Sequence, residues 1–151
     1  MRTRPDSSEE KIIVRTCVGA LLVRHRGGPQ ILLGKRAADR SLAPDVWDVP
    51  GGHCEPGETP VQTLVRELEE EIGVTPTAWQ PVGQVSGVVP GGDEEVVVHF
   101  YAVSSWDGTP RNRQLQEHAE IAWFSLHEAC HLRLAHPDYP ALFRRLSQLM
   151  L

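Results

Sequence analysis

"PGGHCEPGETPVQTLVRELEEEIGV", residues 50–74, decides how the rest of the chain is read. Thr59 is a capping residue, Pro60 suits a first helical position, and Gln62 stands where a capping box places its partner. Gly73 is the expected stop, because a residue without Cβ takes the left-handed cap conformation freely. Between them Val61, Leu64, Val65, Leu68 and Ile72 recur at helical steps and form one apolar stripe. The same rotation gathers Glu67, Glu70 and Glu71 into a sector roughly 100° wide beside that stripe, with Glu69 on the other side. Like charges three and four residues apart each cost a few tenths of a kcal/mol, and acids near a helix C-terminus oppose its dipole. Folding gives no reason for this arrangement. A hard divalent cation that takes several oxygen ligands does. On its own an acidic helix flank is more often a solvated face, so the surrounding sequence has to decide.

Before this helix, residues 12–25 are rich in Val, Ile and Leu and read as a long strand. "RGGP" turns the chain, and residues 30–36 read as the hairpin partner. Residues 37–50 form a loop with a short strand around Trp47. After the helix, residues 79–89 and 95–104 read as strands joined by "PGGDE", residues 105–118 as a polar loop, and 119–124 as a short strand. Ser125 caps a short helix. Leu142, Phe143, Leu146 and Leu149 make residues 138–150 an amphipathic helix whose stripe belongs to the core. The order predicts an α+β domain, an α/β/α sandwich with a mixed sheet between the acidic helix and the C-terminal one. Residues 1–10 are expected to be a poorly ordered tail and residues 11–151 one domain.

The net charge of −5 disfavours a general affinity for nucleic acid or anionic membrane, where a basic patch is expected. Cys17, Cys54 and Cys130 are odd in number and far apart, which argues against a disulfide framework or zinc site and for a reducing, cytoplasmic setting. No signal peptide or transmembrane run is read. His127 and His131 lie four apart, but a structural zinc site needs four ligands, and the spacing is read as chance. His53 and His118 sit in loops beside the acidic helix and are assigned no role.

Residues 52–74 resemble the Nudix box, G-x5-E-x7-R-E-U-x-E-E-x-G-U, where U is a bulky aliphatic residue. Gly52, Glu58, Arg66, Glu67, Leu68, Glu70, Glu71, Gly73 and Val74 fill every defined position. Weaker likenesses to the MutT-like branch lie in "KRAAD" (35–39), "WDGTP" (106–110) and "EHAEIAWF" (117–124). The resemblance implies the Nudix fold and hydrolysis of a nucleoside diphosphate linked to another group. By position it implies Glu67, Glu70 and Glu71 as ligands of Mg²⁺ or Mn²⁺, with a backbone carbonyl of Gly51 or Gly52 and with Glu117 as further ligands. Glu67 or Glu70 stands nearest the attacking water, and Arg66 orients its neighbours, so these three are the catalytic candidates. Glu58 fixes the loop to the helix, and Gly52, Glu58 and Gly73 are structural members of the box.

Arg36 and Asp138 match substrate-contacting positions of the MutT-like branch. Asp138 stands where that branch has an Asn that reads an oxidised guanine, and a carboxylate only accepts hydrogen bonds. Capping of the last helix is the preferred reading of Asp138. The leading expectation is cleavage of a (d)NTP or oxidised (d)NTP to a monophosphate and pyrophosphate. The alternatives are an ADP-ribose or nucleotide-sugar pyrophosphatase, for which "VVPGGDEE" (88–95) is the weak pointer, and a non-catalytic nucleotide-binding regulator. The partner implied is a small nucleotide, without nucleic acid or membrane, bound by a monomer or homodimer.

Overall fold

The computed structural model describes residues 13–38, 45–88, 94–115 and 117–149. The expected N-terminal tail and most of "VVPGGDEE" lie outside the described residues. The chain runs β1 (Ile13–His25), β2 (Pro29–Arg36), β3 (Trp47–Asp48), β4 (Gly51–His53), α1 (Pro60–Ile72), β5 (Thr75–Val88), β6 (Glu94–Asp107), β7 (His118–Ser125), α2 (Leu126–Ala129) and α3 (Tyr139–Leu149).

Strand β1 is the axis of the sheet. It runs parallel to β6 from Ile13↔Glu94 to Leu22↔Val103, and its end pairs antiparallel with β2 at Val23↔Ile31. Strand β7 lies against the other side of β2, and β5 forms an antiparallel pair with β6. Side chains alternate across a strand. Val18, Ala20 and Leu22 therefore pack beneath α1 against Leu64, Leu68 and Ile72. Leu21 and Val23 face the opposite layer, with Leu142, Phe143 and Leu146 of α3. The expected α/β/α sandwich with a mixed sheet is what the chain forms.

The start of α1 follows its sequence closely. Gln62 N–H donates to the Thr59 hydroxyl oxygen and Thr59 N–H to the Gln62 side chain, closing the capping box. Gly73 ends the helix at φ 69°. Two elements depart from the sequence reading. Strand β5 begins at Thr75 rather than at residue 79, because among the described residues β5 pairs only with β6 and an edge tolerates Pro76 and Pro81 where the register shifts. Residues 51–53, read as loop, form β4 and pair with Cys17–Gly19 of β1. A Cβ on Gly51 would collide with the Val18 carbonyl, so this approach of two backbones requires glycine. That pairing lays the segment before α1 across β1 and brings it beside the helix's acidic flank.

Candidate active site

A cleft of about 540 Å³ opens between the acidic flank of α1, strand β4 and the start of β7. Glu67, Glu70, Glu71, Arg66, Gly51, Gly52, Glu117 and Arg36 all line it. Asp138 does not. It borders a separate surface pocket with Arg144 and Arg145, and its carboxylate is 3.9 Å from His136. Its backbone carbonyl accepts from Leu142 N–H at the start of α3.

Arg66 is the hub of the helix flank. Its Nε and Nη2 donate to the two carboxylate oxygens of Glu58 at 2.7 and 2.9 Å. Its Nη1 donates to Glu67 at 2.9 Å and Glu70 at 3.2 Å, and Nη2 also donates to the His53 carbonyl at 3.0 Å. Planar guanidinium geometry permits this bidentate grip together with bonds to other acceptors. Glu58 also accepts the Thr63 hydroxyl at 2.6 Å and the Glu55 N–H at 3.0 Å. The bonds from Arg66, then those from Glu55 and Thr63, hold its carboxyl down to about 2. A carboxylate with a depressed folded-state pKa stabilises the fold above its unfolded value and loses that contribution as pH falls through the folded one. Acid unfolding of the wild type should therefore contain a component between about pH 4.3 and pH 2. Denaturant midpoints measured across that window should flatten there in Glu58→Gln; equal slopes in both proteins would remove Glu58 from the account.

Among the described residues Glu71 is the least exposed acid, with 5% of its surface exposed. Gly51 N–H donates to its Oε2 at 2.7 Å. Burial, and next the charges of Glu67, Glu117 and Asp48, push its carboxyl up to about 8 against that bond. Glu67 is also raised, first by burial and then by Glu70 and Glu117, with Arg66 acting in the opposite sense. Glu67 lies so close to Gly52 that a Cβ there would strike its carboxylate. Glu71, Glu117 and His118 each bring one ligand atom within 4.8 Å of the others. These carboxylates face one another from a helix and a loop, and Arg66 donates to Glu58, Glu67 and Glu70 on the helix flank. Such a donor set fits a hard divalent cation, which would remove the repulsion that raises Glu71.

The cleft is also lined by residues that the sequence analysis placed in no catalytic or binding role. Asp48 accepts the Tyr139 hydroxyl at 2.6 Å and Val49 N–H at 2.8 Å, with Arg36 Nη1 at 3.8 Å. Burial raises the Asp48 carboxyl and raises the Tyr139 phenol well above its ordinary value. Cys17 Sγ lies 2.9 Å from His53 Nδ1, and burial pushes the Cys17 thiol up to about 11. Asp48 stood next to the "VPGG" run that opens the box, which was the available signal. Tyr139 and Cys17 had none, because strand pairing and helix docking bring them to the cleft. All three cysteines are free. No helix among the described residues is long and apolar enough to cross a membrane.

The NUDIX domain family model matches residues 14–146. The chain is 37% identical over 87 residues to the 8-oxo-dGTP diphosphatase of Escherichia coli, spanning 58% of this chain and 65% of that enzyme, just under two thirds of its length. It is 36% identical over 113 residues to the CTP pyrophosphohydrolase of Escherichia coli, covering 75% of this chain and 79% of that enzyme. Among solved structures, the E. coli ORF135 protein superposes with a TM-score of 0.75 at 29% identity, covering 97% of this chain and 96% of that one. The MutT NUDIX hydrolase from Burkholderia pseudomallei superposes with a TM-score of 0.70 at 28% identity, covering 90% and 98%.

Proposed function

The chain belongs to the NUDIX domain family, and on that premise we propose that residues 11–151 form one catalytic domain that hydrolyses a (d)NTP or oxidised (d)NTP to a monophosphate and pyrophosphate with Mg²⁺ or Mn²⁺. The observation that carries this reading is the gathering of Glu67, Glu70, Glu71 and Glu117 around one cleft, where burial and the charges of Glu67 and Glu117 raise Glu71. Names of relatives such as 8-oxo-dGTP diphosphatase and CTP pyrophosphohydrolase support the triphosphate class.

In this reading Glu67, Glu70, Glu71 and Glu117, with the Gly51 or Gly52 carbonyl, hold the cation. When bound, the cation neutralises charge on the phosphoryl oxygens and acidifies water. The chain's own groups do the rest. Glu67 is held between Arg66 and Gly52, and its raised carboxyl suits a proton acceptor. As the water oxygen bonds to phosphorus and the bridging P–O bond breaks, Glu67 takes the water proton and the phosphate chain leaves with the electron pair. Arg66 acts through Glu67 and Glu70 and is a positioning residue. The nucleoside lies along the wall of Arg36, Asp48, Val98 and Tyr139, where Asp48 is pinned by Tyr139 and Arg36 presents a cation. Asp138 lies outside this cleft and is left out of the substrate contacts.

The test is phosphate release with Mg²⁺ or Mn²⁺, coupled through pyrophosphatase for triphosphates and through phosphatase for products of ADP-ribose and nucleotide sugars. Triphosphate turnover that stops with a chelator and falls at least about tenfold in Glu70→Gln is the expected result. Turnover of ADP-ribose alone moves the protein to the alternative substrate class. Folded protein that binds Mn²⁺ but turns over nothing supports a nucleotide-binding role instead.

A further inference from the structure

We propose that His118 is a nitrogen ligand of the metal site and tilts this chain toward Mn²⁺ over Mg²⁺. The inference rests on the metal-dependent reading above. A ring nitrogen of His118 lies within 4.8 Å of carboxylate oxygens of both Glu71 and Glu117, a span that a single ion bridges. The position of the ring is built from several directions. Gly34 of β2 lies under it, and a Cβ there would sit 2.8 Å from His118 Cδ2. The Arg36↔His118 register at the end of the β2–β7 pairing, just past a β-bulge, holds the backbone over that gap.

The spacing between His118 and Glu71 is set by two adjacent residues. Asn112 Nδ2 donates to the His118 carbonyl at 2.9 Å, and Arg113 N–H donates to the Glu71 carbonyl at 2.9 Å. Arg113 Nη1 adds a bond to the Glu69 carbonyl at 3.0 Å. This dipeptide bracket ties the start of β7 to the last turn of α1, so the two potential ligands are held by the same short segment. On the helix side Gly51 N–H fixes the Glu71 carboxylate. Ligands oriented this way by neighbouring bonds bind more tightly than the same groups on free loops. Mg²⁺ keeps to oxygen ligands and dehydrates reluctantly, whereas nitrogen-donor affinity rises along the first-row divalent metals that Mn²⁺ opens, so an imidazole among carboxylates disfavours Mg²⁺ relative to Mn²⁺.

The experiment is pulsed electron paramagnetic resonance of the whole protein loaded with Mn²⁺, read for ¹⁴N coupling of a directly bound imidazole. The wild type should show it and His118→Asn should not. His53→Gln should retain it, because the other histidine of the cleft has its Nδ1 turned to Cys17. In parallel, equilibrium titrations should show His118→Asn weakening Mn²⁺ binding about tenfold and Mg²⁺ binding by about twofold or less. Bound Mn²⁺ with no nitrogen coupling in the wild type overturns the His118 assignment and leaves the function proposed above intact. Failure of the wild type to bind Mn²⁺ at all overturns both. If His118→Asn does not fold, the wild-type spectrum together with His53→Gln still decides the question.

Discussion

Glu71→Gln should lose hydrolytic activity by about 10³-fold and at the same time make the metal-free protein more stable. The activity loss follows from removing one carboxylate of the proposed cation site, where the charge stabilisation at stake is several kcal/mol and each 1.36 kcal/mol is tenfold in rate. The gain in stability follows from burial. Glu71 is almost fully enclosed, and burial with the charges of Glu67, Glu117 and Asp48 raises its carboxyl to about 8. An unfolded glutamate titrates near 4.3. Between those values the folded state binds more protons than the unfolded one, so the stability of the metal-free wild type falls as pH rises through that window. Above pH 8 the penalty is fully expressed and is on the order of 5 kcal/mol at most.

Glutamine never ionises and still accepts the Gly51 N–H, so its stability should stay level across the same window. With a chelator present, thermal unfolding at pH 8.5 should place Glu71→Gln about 10 °C above wild type, with the gap closing toward pH 4.5. Excess Mn²⁺ should reverse the order, because a ligand that binds only the folded state stabilises it by mass action. A mutant that melts below wild type in chelator at pH 8.5 would show that Glu71 is a structural residue and would remove the argument for a charge-frustrated site.

This opposition between stability and function explains which parts of the molecule were legible in its sequence. The helix was, because its signals are local and lie within 15 residues: the Thr59–Gln62 box and Gly73 are satisfied as written, and Leu64, Leu68 and Ile72 of the stripe are buried, while Val61 and Val65 are only half-buried. The acidic flank was legible for the reverse reason, as a local arrangement with no local justification. The cleft's other wall was not. Tyr139 and Asp48 are 91 positions apart and meet through α3 docking on the sheet. Strand β4 is only three residues long, two of them glycine, so no periodicity announces it, yet it delivers Gly51 to Glu71. His118 was visible as a residue and opaque as a proposed ligand, since its place depends on the β2–β7 register and on the Asn112–Arg113 bracket. Asp138 shows the converse. Its neighbour Tyr139 reaches the cleft while Asp138, one step back along the chain, borders another pocket.

The second large effect belongs to Arg66. Arg66→Lys keeps the charge, and a charge-counting view expects little change. The geometry predicts otherwise. Arg66 spreads its three nitrogens over Glu58, Glu67, Glu70 and the His53 carbonyl, and an ammonium is one point with three donors on a flexible stem. Lysine can satisfy Glu58 or Glu67, not both with their present orientations. Losing the shared contacts at this half-buried hub should destabilise the protein by about 2 kcal/mol. It should lower kcat by about 10²-fold with a smaller change in KM, because the proposed proton acceptor Glu67 moves while the proposed nucleoside wall stays where it is. A double-mutant cycle separates positioning from general stabilisation. Glu58→Gln and Arg66→Lys disturb the same bidentate pair, so their combined effect on kcat should fall well short of the sum of the two. Effects that add fully would mean that Arg66 reaches the chemistry without Glu58. A kcat unchanged in Arg66→Lys would mean that Glu67 is held by Gly52 and the helix alone.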